Sequence, residues 1–325
     1  MHHPKRRFVL ILTAGSALML IMAVLSLRLG AVETPFRQLV EEIVQRDGVV
    51  YAYRLPRLMI AVLIGINMSL SGSILQGVAR NPLAAPDLMG ITAGGGLVTV
   101  IMILAVPQYS AVLLPFFAFA GAIGASLLIY LLAYNKGIKP QRLILCGVAV
   151  SSGIHAVVTL LVVKFAPSAA QALVWLKGSL YARSWEHVNV IWPWTLVCGL
   201  LALLFSHQLN TLLLNEDTIR SLGMRTDRVR LFLIALAVGL AGSVVAVAGA
   251  IGFVGLVIPH LARLLVGPNY RLLLPTSALL GAILVTAADT AGRMLMPPIE
   301  IPVGIMTSFI GAPYFLYLLL RTKKS

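Results

Sequence analysis

Gln76-Gly77-Val78-Ala79-Arg80-Asn81-Pro82-Leu83-Ala84-Ala85-Pro86-Asp87-Leu88-Met89-Gly90 interrupts apolar sequence on both sides. Two prolines, an asparagine and an aspartate in one short bend cannot continue a helix. Proline lacks the amide donor, and it pushes the residue before it out of the helical region. Backbone released from a helix must find partners in water or protein, so a bend this polar belongs at a membrane boundary or on a cavity wall. On either side, Arg54 to Val78 and Ile91 to Val106 are apolar runs of helical length. The bend therefore reads as a break between two membrane spans.

The composition supports that reading. The chain has 325 residues, of which 59% are hydrophobic and 11% charged, with a mean hydropathy of +0.95. A soluble domain is about one quarter charged, and a soluble fold of this size has too little interior to hide so much apolar surface. The expectation is an all-α polytopic membrane protein forming one membrane domain over residues 1–325. At roughly 20 apolar residues per span it holds about ten transmembrane helices, some short or broken. The formal net charge of +14 does not indicate nucleic acid, because the basic residues stand singly between apolar runs and form no stripe. Cys146 and Cys198 lie far apart in apolar segments without a CxxC partner, which suits small buried hydrophobes rather than metal or redox chemistry. No cofactor is expected in this chain.

The spans are expected as follows. Lys5-Arg6-Arg7 flank a first span, Phe8 to Leu29, whose apolar run is too long for a secretory h-region and ends in no A-x-A site. An interfacial amphipathic helix follows within Phe36 to Val44. Further spans are Arg54 to Val78, Ile91 to Val106, Ala111 to Tyr134 and Leu143 to Val163. After a short external helix between Ser168 and Gly178 comes Val188 to His207. A long internal loop, Gln208 to Arg228, precedes Val229 to Ala248, Phe253 to Val266, Leu272 to Ala291 and Pro302 to Leu320. Most basic residues then fall on one side, which the positive-inside rule makes the cytoplasm, with both termini cytoplasmic. Arg54, Arg57 and Arg293 fall on the outer side against that bias. Gly65, Gly72 and Gly77, Gly121 and Gly124, and Gly239 and Gly242 recur at spacings that let membrane helices approach closely. Each half opens with a long span followed by a Gly/Pro-rich break and a short helix, which suggests an inverted repeat.

The ordered motifs carry more than any one alone. They are Arg54-Leu55-Pro56-Arg57; Gly72 to Gln76 with Asn81-Pro82-Leu83-Ala84-Ala85-Pro86; Gly147 with Ser151; and Trp175-Leu176-Lys177-Gly178-Ser179. Then come Gly252 to His260, Ala288-Asp289 with Arg293, Glu300-Ile301-Pro302-Val303-Gly304 and Gly311-Ala312-Pro313. In this set the chain resembles the FecCD-type permease family, the membrane subunits of type II ABC importers for ferric siderophores, haem and vitamin B12, over nearly its whole length.

The resemblance implies a multi-pass protein of the bacterial cytoplasmic (inner) membrane. It implies a pair with a second permease subunit, homo- or heterodimeric, two cytoplasmic ATP-binding subunits and an extracytoplasmic substrate-binding protein. The implied cargo is a ferric siderophore first, with haem or cobalamin as alternatives. It further implies that Arg54, Arg57 and Arg293 dock the binding protein, and that Asn81 and Leu83 line a cytoplasmic gate. The ATPase-coupling residues would be Glu216, Ile219, Arg220, Leu222 and Gly223. The residues allow the last reading: Asn215 can cap a short helix, Glu216 and Asp217 suit its first turn, Gly223 ends it, and Ile219, Leu222 and Met224 would face a partner. No G-x-x-x-x-G-K-[ST] occurs, so ATP would be hydrolysed by a partner. Bland readings stand beside these: Asn81 as a turn residue, and the arginines as interface anchors or as partners for Asp289 and Glu300. A secondary transporter using Asp289 or Glu300 is the rival function. An intramembrane enzyme has no HExxH, Ser/His dyad or paired intramembrane aspartates behind it.

Overall fold

The computed structural model describes residues 4–30, 34–106, 110, 112–135, 137, 139–214, 218–219 and 224–322. Among these residues there are thirteen α-helices. They are α1 (Pro4–Arg28), α2 (Phe36–Gln45), α3 (Leu55–Ala79), α4 (Ile91–Ala105), α5 (Leu114–Ala133), α6 (Pro140–Lys164) and α7 (Ala170–Leu176). The second half holds α8 (Trp185–Leu204), α9 (Ser206–Leu212), α10 (Thr226–Ala248), α11 (Val254–Val266), α12 (Tyr270–Met294) and α13 (Val303–Thr322). Seven of the helical segments are long and apolar enough to cross a membrane, and Ile91–Ala105, Val254–Val266 and Val303–Tyr317 are shorter apolar helices.

Burial separates a centre from a periphery. In the most apolar window of each helix, 78% of α3 and 83% of α10 is buried, against 11% of α6 and none of α1. The first two are apolar all round because protein surrounds them. α3 crosses α12 where Gly65 meets Gly281, and it meets the start of α11 where Gly72 lies on Gly255; a Cβ at Gly65 or Gly72 would collide with the main chain opposite. Gly121 lies in the same way against the Gly94 carbonyl, and Gly77 against Tyr270. Missing side chains thus set how closely these helices pack. Gly124 departs from the expectation: a Cβ there would meet nothing within 4 Å, because it lies on the outward side of α5.

Several boundaries differ from the sequence reading. A π-helical turn, Val50–Arg54, leads into α3 and starts helical structure before the expected Arg54. α8 ends at Leu204, and α9 occupies what was expected as the start of a loop at Gln208. Its cause is Leu209 and Leu212, which are buried in the core and hold one further amphipathic turn onto it. α10 begins at Thr226 rather than Val229. The amphipathic helix α2 forms as expected, with Arg37 and Glu41 paired at 2.9 Å one turn apart.

Candidate functional site

The bend after α3 is built from local hydrogen bonds. Arg80, at φ 47°, ends the helix. The Asn81 side-chain oxygen accepts the Leu83 N–H at 2.9 Å, an Asx turn. Leu83 itself is exposed. A 3₁₀ turn, Pro86–Met89, follows, and Gly90 at φ 66° starts α4. The Thr92 hydroxyl donates to Asp87 Oδ1 at 2.6 Å. A Cβ on Gly147 would run into the Leu88 carbonyl, and the Ser151 hydroxyl reaches the Asp87 carbonyl at 3.4 Å, so α6 is fitted closely to the bend. On the other side, Arg80 donates from Nε to the Leu212 carbonyl and from Nη2 to the Leu214 carbonyl, both at 2.8 Å. The gate residues named from the sequence, Asn81 and Leu83, therefore sit on a bend tied to the end of α9.

Beside the bend lies a cavity of about 690 Å³ between α4, α6, the end of α7 and the start of α13. Its polar lining is Asp87, Thr92, His155, Thr159, Lys177 and Ser308. His155 and Thr159 are one turn apart on α6, so they share a face, and both are exposed. A polar face on an otherwise apolar span belongs against water or protein rather than lipid. Lys177 is held by an interlock of glycines. Gly178 at φ 70° lies against the Ala250 carbonyl, and Gly304 against the Lys177 carbonyl. The Gly304 N–H donates to the Gly178 carbonyl at 3.1 Å, and the Ser179 N–H to the Ala248 carbonyl at 2.9 Å. Three motifs far apart in sequence thus form one wall.

The three outer arginines are placed differently from a free positive patch. Arg57 donates to Asp289 from Nε and Nη2, the shortest contact being 2.8 Å, and from Nη1 to Glu300 at 2.8 Å. Arg293 pairs with Asp289 at 3.3 Å and donates to the Ser26 hydroxyl at 2.9 Å and carbonyl at 3.1 Å. Arg54 donates to the carbonyls of Leu27 and Arg28 at 2.8 and 3.0 Å. The Arg57 and Arg293 side chains are only 14% and 8% exposed, and that of Asp289 4%. Of the readings open from the sequence, the pairing with Asp289 and Glu300 is formed by Arg57, and that with Asp289 by Arg293. A buried carboxylate must be compensated, and Asp289 recruits both arginines. The C-terminal carbonyls of α1 attract Arg54 and Arg293 in the same way.

Of the expected coupling residues, Glu216, Arg220, Leu222 and Gly223 lie outside the described residues. Ile219 is fully buried in the chain rather than facing outward, and Met224 packs against the core. These apolar side chains find cover within the chain itself. Asp87, His155 and Lys177 were not assigned a site from the sequence. The one-turn spacing of His155 and Thr159 in an apolar span was the signal available for them.

The sequence model of the FecCD transport family matches residues 18–321. The chain is 42% identical over 319 residues to the Fe(3+)-citrate import system permease protein YfmE of Bacillus subtilis (strain 168), covering 97% of this chain and 96% of that one. It is 41% identical over 281 residues to the iron(3+)-hydroxamate import system permease protein FhuG of the same organism, covering 84% of each. Among solved structures, it superposes with a TM-score of 0.85 and 33% identity on one described as a metal-chelate type ABC transporter in an inward-facing conformation, covering 96% of this chain and 99% of that one.

Proposed function

Because this chain belongs to the FecCD transport family, we propose that it is the permease subunit of an ABC importer that carries a ferric chelate across the bacterial cytoplasmic membrane. The observation that carries this reading is the polar-lined cavity beside the broken helix. A polar-lined cavity beside a broken helix suits a route through the membrane domain. The three shorter apolar helices count as spans beside the seven long ones, giving ten in an inverted repeat with both termini cytoplasmic.

The peripheral α6, with its exposed polar face, suits completion of the path by a second permease subunit. The ATPase would bear on the stretch holding Glu216, Arg220, Leu222 and Gly223, anchored from inside by Ile219. The extracytoplasmic binding protein would dock over Arg54, Arg57 and Arg293, its acidic groups competing with Asp289 and Glu300. Charge reversal at Arg57 would also break the internal pairs, so Arg54 is the cleaner position at which to test docking.

The test is uptake by the complete assembly in proteoliposomes, with ferric citrate, haem and cobalamin as probes. Import should require ATP inside the vesicle or its equivalent face and should survive collapse of ion gradients. Uptake driven by a gradient without ATP would instead support the secondary-transporter reading. A second measurement addresses the gate. Leu83→Cys, in a background lacking Cys146 and Cys198, should crosslink between two copies in a nucleotide-dependent manner if the pair is symmetric about an axis at this bend. Failure to crosslink in any nucleotide state of a homodimeric assembly would move the gate elsewhere.

A further inference from the structure

We propose that Lys177 forms an anion-binding subsite in the cavity and makes the permease selective for negatively charged, carboxylate-rich chelates. The proposal rests on the cavity being the import path. Lys177 is exposed within the cavity, and its side chain has no hydrogen-bond or ion-pair partner among the described residues. Charged side chains within a membrane domain ordinarily pair with one another or face water. An unpaired ammonium on a cavity wall, its backbone pinned by Gly178, Ala250 and Gly304, is placed to meet a mobile anion. A charge in a cleft with low-dielectric walls also raises the local concentration of the opposite charge. The compact ammonium on a flexible stem accepts carboxylates at many angles, which suits a passing cargo better than a fixed fork would.

Asp87 adds a second element. It is joined to Thr92, whereas Leu176, next to Lys177, lies against Gly96. Thr92 and Gly96 are separated along α4 by about 6 Å at the helical rise. The cavity wall therefore carries a carboxylate and His155 as well as the lysine.

The experiment uses the complete transporter in proteoliposomes, with ferric citrate as the anionic probe and a neutral ferric trihydroxamate as its control. Lys177→Gln should slow ferric-citrate import about five- to tenfold while hydroxamate import stays within about twofold, because only the charged cargo loses a partner. Lys177→Cys, in a background lacking Cys146 and Cys198, should regain ferric-citrate import after modification with a positively charged aminoethyl thiosulfonate. The anionic sulfonatoethyl reagent should not restore it. A readout independent of transport comes from Thr159→Cys: the anionic reagent should modify the introduced thiol faster with Lys177 present than in the Lys177→Gln background, and the cationic reagent slower.

Equal loss for both chelates, or rescue by either reagent regardless of charge, would make Lys177 merely structural and overturn the proposal. So would thiol reactivity that ignores residue 177. If neither ferric chelate is imported by the unsubstituted assembly while thiol reactivity still follows Lys177, the cargo reading fails and the anion subsite stands.

Discussion

Asp289→Asn is expected to destabilise the folded chain by about 3–5 kcal/mol, the range for breaking a buried ion pair by removing one partner. Asparagine keeps the shape and removes the charge. Arg57 and Arg293, both largely buried, would then share no full counter-charge at their centre. Glu300 compensates Arg57 in part, but it lies on the rim with 32% of its side chain exposed. Glu300→Gln should accordingly do much less. The cluster joins α3 to α12, and Arg293 carries the link on to α1 through Ser26 and Leu29. Thermal unfolding in detergent, followed for both variants, checks the prediction. Equal midpoints for wild type and Asp289→Asn would mean that the arginines find water, and that the cluster lies open to the outside.

Gly72→Ala is expected to be the most damaging single methyl group in the chain's centre. Its Cβ would overlap the Gly255 carbonyl, and main chain cannot be moved aside by changing a rotamer. α3 and α11 must separate, at a cost of about 1–3 kcal/mol or more for overpacking. The shift would reach the bend directly, because Gly255 also lies against Pro86. Import should fall to background even where the protein still folds. Gly124→Ala is the control: nothing lies within 4 Å of its Cβ, and alanine gains up to about 1 kcal/mol of helix propensity. Similar behaviour of the two variants in unfolding and import assays would show that the α3–α11 contact yields easily.

The sequence announced those features that depend on local chemistry. Pro82 and Pro86 broke the helix where expected, and Asn81 made its turn with the next residue but one. The glycines marked most of the close crossings, because only a missing side chain permits them. Features that depend on distant partners were hidden. Arg57 lies 232 residues from Asp289, and nothing near either says which acid meets which base; both readings of the arginines were open until the fold joined α3 to α12. α9 was missed because a seven-residue helix offers too short a period to separate from a loop. Ile219 looked like a surface anchor because its local pattern does not reveal the core beneath it. Lys177 was quoted within a motif, but its place on a cavity wall depends on Gly304, 127 positions further on.

The tie from Arg80 has a consequence for how such a protein can diversify. Both of its acceptors, at Leu212 and Leu214, are main-chain carbonyls. A bond to main chain is indifferent to the side chain that the acceptor residue carries. Among the described residues, these two hydrogen bonds between the bend and the end of α9 are therefore specified by Arg80 and by no side chain at Leu212 or Leu214. The exposed Leu214 can therefore change without first preserving a matching side chain for the arginine, whereas Leu212 is held by the core. A lineage can vary such a position while keeping the joint, because the arginine reads main chain and not sequence.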